Sequence, residues 1–257
     1  MAIATSPSIP TPAQATLAAE LSNVARLQAE RDANPILAGA LDRLATWQSR
    51  RLRMTYADLA KEQRYADAMR FFQTDLYGNS DFAQRDADLA RVVPVMVRML
   101  PDAAIVTIAK AVELHALTQT LDRSLLARLP RADVQFSVSD YARAYRRMGK
   151  RGERERQIRL IGEIGTQLAR FVKKPLIRGA LRMMRQPARL AGFGALHDFL
   201  ERGFAAFAKM GDASEFLATI DERERALMDA LLAGETAPFP DPLEPRVGGP
   251  PAAEASG

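Results

Sequence analysis

Few side chains in this 257-residue sequence are equipped for chemistry, and their spacing limits what they can do. The absence of cysteine removes disulfides, thiolate metal sites and cysteine nucleophiles. Only two histidines are present. His115 lies in AVELHALTQTLD with Ile108 and Val112 on its side and Asp122 two turns on, and His197 precedes Glu201 by one turn. A di-metal carboxylate bundle draws Glu-x-x-His from two helices and further glutamates from two others. Glu113, two residues from His115, points elsewhere, and neither histidine stands in that motif. Both therefore read as buried or half-buried structural groups, and no metal or cofactor is expected.

Asp81, Asp86 and Asp88 raise the question of a cation loop, but their spacing lacks the glycine and the terminal glutamate of an EF-hand. Helix capping accounts for Asp81 and Asp86, with Arg85 and Arg91 as ion-pair partners for Asp88 or Asp75. Serine-nucleophile elbows, phosphate-binding glycine loops and dinucleotide fingerprints are missing. The glycines of LAGFGALHDF follow no strand and read as a close helix approach. No catalytic residue emerges, so the residues favour a binding protein over an enzyme.

Charge is distributed unevenly. The chain carries +5 overall, yet residues 143–189 hold fifteen Lys or Arg against Glu153, Glu155 and Glu163, a net of +12, which leaves −7 on the remainder. Lys174, Arg178, Arg182, Arg185 and Arg189 step by four, four, three and four, a helical band roughly 80° wide, with Leu176, Ala180, Met183 and Pro187 opposite. That is a basic amphipathic helix, suited to anionic lipid, phosphates or an acidic protein surface. The plainer reading is a solvated face whose arginines pair with acids elsewhere on the body. Nucleic acid is the weaker partner, because helix-turn-helix, zinc-finger, RNP and KH signatures are absent and Tyr145 and Phe171 are not interleaved as stacking platforms.

The elements that must position these groups are helical. Ser and Pro crowd residues 1–10, predicting a disordered leader. Thr11-Pro12 and Asn34-Pro35 open two helices, the second with Leu44 and Trp47 on its inner stripe. Residues 65–77 form an aromatic helix with Tyr65, Met69, Phe72 and Leu76 in one stripe, stopped at Gly78. A helix from Phe82 should kink at Pro94, and a long one spans about 102–129. PRADVQFSVS, residues 130–139, reads as a loop. Ser139 starts a helix ended by Gly149 and Gly152, and another runs from Glu153 to Lys173. Pro175 opens the basic helix, which Pro187 ends, and two more follow to Leu232. Beyond Gly234 six prolines without period predict a disordered tail.

Within the aromatic helix, Phe71, Phe72, Leu76 and Tyr77 resemble the signature of an uncharacterised bacterial family named for a Phe-Phe-Leu-Glu-Glu-Leu-Tyr motif. Here Gln73, Thr74 and Asp75 replace Leu, Glu and Glu. The resemblance extends from about residue 35 to residue 233, including PARLAGFGALHDFLERGFAAF, and implies no activity.

These readings predict an all-α, irregular bundle of eight to nine helices, with a single domain at 11–233, a leader at 1–10 and a tail at 234–257. The N-terminus lacks a cationic and apolar signal, and no uncharged apolar run approaches about 18 residues, so a cytoplasmic protein without a transmembrane segment is expected. Its function is read as an interaction protein whose basic helices, about Tyr141 to Arg189, engage an acidic protein surface or anionic membrane face. Two alternatives stand beside it: a helical-bundle enzyme or small-ligand or metal carrier with a pocket lined by Phe71, Phe72, Tyr77, His115 and the 193–207 helix, and non-specific nucleic-acid binding. The spacing gives no oligomeric state.

Overall fold

Capping chemistry sets most of the element boundaries. The computed structural model of the protein describes residues 11–73, 102–130, 136–192, 194–235, 237–239 and 241–242, apart from the side chain of Leu196. Thr11 caps α1 (Pro12–Asp32) in a capping box, its hydroxyl accepting from the Gln14 amide while its own amide donates to Gln14 Oε1 at 3.0 Å. Asn34 Oδ1 accepts from the Leu37 amide and opens α2 (Pro35–Thr55), where proline stands at a position that needs no N–H donor. A 3₁₀ turn (Leu59–Lys61) leads to α3 (Ala66–Phe71), which widens into a π-type turn at Phe72 and Gln73. The helix and kink expected at 82–101, and the leader at 1–10, lie outside the described residues.

The chain continues through α4 (Asp102–Leu126), α5 (Val138–Met148), α6 (Arg151–Phe171), α7 (Pro175–Met183), α8 (Arg185–Leu190), α9 (Gly194–Met210) and α10 (Ser214–Ala233). Eight of these helices have nine residues or more, and no strand occurs among the described residues, so the fold is all-α and a single domain. Two boundaries differ from the sequence reading. Ser137, not Ser139, caps α5, because Ser137 Oγ accepts from the Asp140 amide while the Ser137 amide donates to the Asp140 carboxylate. Gly152 falls inside the first turn of α6, and the break belongs to Gly149 alone, whose φ of +63° is open to glycine at little cost.

A third difference bears on function. The basic stretch is not one helix ended by Pro187: α7 stops at Met183 and α8 begins at Arg185, with Pro187 as its third residue. Pro187 has no N–H to offer the Met183 carbonyl and its ring crowds that carbonyl, so the break falls one turn upstream of the proline.

Three apolar clusters hold the bundle. The first joins α2, the end of α4, α5, α6 and α10 around Leu44, Leu121, Leu125 and Trp47, whose indole stacks on Tyr141 with ring centroids 4.6 Å apart. A second cluster packs Tyr65, Met69 and Phe71 of the α3 region against Phe207, Phe216 and Val172. A satellite cluster lies between α1 and the first half of α4, formed by Leu17, Val24, Leu27, Ile105 and Val112. Phe71 fits here because of one glycine: a Cβ on Gly203 would stand 2.9 Å from its ring. The body also extends past residue 233, where a tail was expected. Phe239 packs edge-on to Trp47 at 5.8 Å, and Pro242 is buried.

Candidate functional site

Two features stand apart from ordinary packing, one on the surface and one inside. The outer one is the α7–α8 arm. Neither helix contributes a single buried residue, and Ile177 and Leu181 are the only half-buried large side chains of α7. Leu176, Met183 and Leu190 are 88%, 75% and 87% exposed and Met184 is 45% exposed, so four of the six exposed large apolar side chains among the described residues fall within fifteen positions.

The cations of the arm divide into two groups. Arg185 grips Glu201 Oε2 through Nη2 at 2.6 Å and Nε at 3.1 Å, and Arg189 reaches Asp198 at 3.5 Å, so both tie α8 to α9. Lys174, Arg178 and Arg182 make no ion pair among the described residues; Lys174 instead lies over the Phe171 ring at 6.0 Å. Upstream, Arg156 holds Glu113 by two bonds of 2.8 Å and Arg151 holds Asp229 at 2.7 Å. The basic segment is thus partly a set of internal pairs. Within the described residues, Lys174, Arg178 and Arg182 are among the cations left without an ion pair, as are Arg146, Arg147, Arg159, Arg170 and Lys173 on and beside the neighbouring helices.

The inner feature is a cavity of about 110 Å³ at the seam between the first two clusters. It is reached by paired positions three or four apart, which share a helix face: Gln48 and Arg51 on α2, Thr118 and Asp122 on α4, Arg154 and Gln157 on α6, with Glu224 from α10. Arg51 Nη1 donates to Glu224 Oε1 at 2.6 Å, and the Tyr56 hydroxyl donates to the same oxygen at 2.8 Å. Gln48 donates to Asp122 Oδ1 at 3.0 Å, Arg154 Nη1 donates to Gln157 Oε1 at 2.9 Å, and Gln157 passes a hydrogen bond to Thr118 at 2.7 Å.

Burial works against charge at each of these groups, and neighbours decide the outcome. Desolvation pulls the Arg51 pKa down and the Glu224 pKa up, but their mutual attraction outweighs it, so Arg51 is raised, Glu224 is lowered and the pair stays ionised. Asp122 has no such partner. Burial raises its pKa, against weaker pulls from Arg154 and the Gln48 hydrogen bond. Arg154 is 8% exposed, its guanidinium carbon lies 4.9 Å from the Tyr145 ring centroid, and its Nε and Nη2 have no hydrogen-bond partner.

A family model described as a domain of unknown function (DUF8198) matches residues 24–238. The chain belongs to that family. The matched span encloses the arm and every residue lining the cavity except Phe239, and it contains the 35–233 region of the expected resemblance; the name drawn from the Phe-Phe motif is not what the match carries. No curated protein and no solved structure matches the chain.

Within this DUF8198 chain the pocket residues expected from sequence are scattered. Phe72 lines the cavity, whereas Phe71 is packed against Phe199 at 5.2 Å beneath Gly203. His115 lies outside the lining, 2.8 Å from Gln119 through Nε2, and α9 contributes nothing to the wall, while Tyr77 lies outside the described residues. His197 is buried with Nε2 3.5 Å from Glu201 Oε1, too long for a good hydrogen bond. Of the expected anionic-partner set, Arg178 and Arg182 stand on α7 with Lys174 at its N-cap, while Arg185 and Arg189 stand on a separate helix. Among the described residues no group of three His, Asp or Glu could hold a metal ion, and no helix is long and apolar enough to cross a membrane. Sequence reasoning missed Arg51, Arg154 and Glu224, and placed Asp122 only as a neighbour of His115. Their signal was a polar residue on an apolar stripe: Arg154 precedes Ile158 and Ile161 by four and seven, and Glu224 precedes Met228 and Leu231 by the same intervals.

Proposed function

We propose that this protein is an interaction module that docks its α7–α8 arm on an anionic membrane surface. The supporting observation is the pairing on one short arm of exposed Leu176, Met183 and Leu190 with Lys174, Arg178 and Arg182, cations that no carboxylate among the described residues neutralises. Apolar side chains that enter the acyl boundary, flanked by cations at headgroup level, are the pattern of an interfacial helix. An acidic protein surface would answer the cations but leave Leu176 and Met183 without an apolar host, and a second copy of the arm would oppose like charges. Cytoplasmic leaflets carry the required negative potential.

Co-sedimentation with vesicles tests this reading. The protein should partition onto phosphatidylserine-containing vesicles at low salt, bind pure phosphatidylcholine weakly, and be released at high salt. Exchanging Lys174, Arg178 and Arg182 for Gln should weaken partition roughly 100-fold, at about 1 kcal/mol per cation. Leu176→Glu with Met183→Glu should abolish it while the α-helical signal stays intact. Equal binding by all variants, or capture of acidic protein or nucleic acid in place of vesicles, would overturn the membrane reading.

A further inference from the structure

Arg154, one of the residues that line the interior cavity, carries an unused recognition edge. In a guanidinium, Nε–H and Nη2–H lie side by side and point the same way, which is the geometry that takes both oxygens of one carboxylate. This protein uses that edge elsewhere: Arg156 Nε and Nη2 hold the two oxygens of Glu113, each at 2.8 Å. In Arg154 the same two atoms are buried and have no partner, while Nη1 is fixed by Gln157 and the plane is held over Tyr145. A buried cation left so is costly unless something completes it. The acids nearby do not complete it, since Asp122 and Glu224 line the cavity but neither lies within 4.0 Å of the Arg154 nitrogens, and Glu224 is already engaged by Arg51 and Tyr56.

We propose that this cavity binds a small monocarboxylate, its two oxygens held by Arg154 Nε and Nη2 and its short carbon chain lying against Tyr145, Ile158 and Phe72. Charge favours one negative unit. Arg51 and Glu224 cancel, and no carboxylate contacts the free edge of Arg154, so a monoanion matches that one guanidinium charge, whereas a phosphate dianion would overshoot it. Size favours a short acid, because a cavity of about 110 Å³ has room for several waters' worth of atoms and no more.

The test is thermal unfolding of the full chain in chloride buffer at constant ionic strength, titrated with sodium formate, acetate, propionate or inorganic phosphate. A carboxylate should raise Tm saturably above the chloride control. Arg154→Met, which keeps the length and removes the fork, should lose that rise entirely. Arg154→Lys, which keeps the charge on one ammonium, should weaken the response at least tenfold and serves as the test should Arg154→Met not fold. Carbon-13 line broadening of labelled acetate, present with the native chain and absent with the variants, gives a second reading that stability alone does not move. No carboxylate-specific shift, an equal shift in the Arg154 variants, or a response to phosphate in place of carboxylates would overturn the assignment.

Discussion

At the scale of single residues, the buried polar groups carry the pH behaviour. Asp122 is the clearest, because burial raises its pKa and its one hydrogen bond is received from Gln48 at Oδ1. In the unfolded chain an aspartate releases its proton near 3.9, whereas the folded protein holds it to higher pH. Between the two values the folded state binds more protons, so stability falls as pH rises through that window and the loss persists at neutral pH. Asp122→Asn keeps the oxygen that Gln48 needs and removes the ionisation. Thermal unfolding should show a higher Tm for this variant at pH 7 and a smaller difference below pH 4; a lower Tm at pH 7 would mean that the ionised carboxylate contributes attraction that outweighs its desolvation. The Glu224 side chain behaves oppositely: its pKa is lowered once the Arg51 attraction outweighs burial, so its contribution is present above the unfolded value and lost in acid.

The contrast between α4 and α7 defines the scale of elements. Both have apolar and polar residues at helical spacing, but α4 buries Ile105, Ala109, Val112, Ala116, Leu121, Leu125 and Leu126, and α7 buries none. A helix as short as α7 is marginal in water without packing. Hydrogen exchange should therefore proceed through local opening across 175–190, orders of magnitude faster than in the middle of α4. Anionic vesicles should slow exchange in that stretch if the arm docks as proposed, and unchanged exchange there would count against it. Protection equal to that of α4 in the free protein would show that α7 is held by contacts beyond those described. Both ends of α8 are tied more firmly than its length suggests, by Arg185 to Glu201 and Arg189 to Asp198. Both arginines are exposed, so solvent screens the two pairs and each contributes little.

For the whole molecule, α2, α6 and α10 each enter both large clusters: Trp47 and Leu52 lie in different clusters on α2, as do Ile158 and Leu168 on α6, and Met228 and Phe216 on α10. The clusters should therefore unfold together. Denaturation followed by the fluorescence of Trp47, the single tryptophan, should coincide with loss of far-ultraviolet circular dichroism; separated midpoints would show that the seam is weak enough to part. The sequence by itself determined the class and most helix boundaries, because capping boxes, Pro at the first helical position, glycines with left-handed backbone and apolar stripes are local and act through one or two turns. It also determined the charge imbalance, which is a count. Tertiary structure decided which charges remain unpaired: Arg156 and Arg151 meet Glu113 and Asp229 only because α6 packs beside α4 and α10. It likewise decided what the two adjacent phenylalanines of one motif meet, Phe71 entering the core under Gly203 and Phe72 packing on Phe207 and Phe216 while also lining the cavity. The cavity itself draws its walls from residues as far apart as Gln48 and Glu224. Sequence spacing fixes the face of a helix on which a side chain stands, but only packing fixes what that face meets.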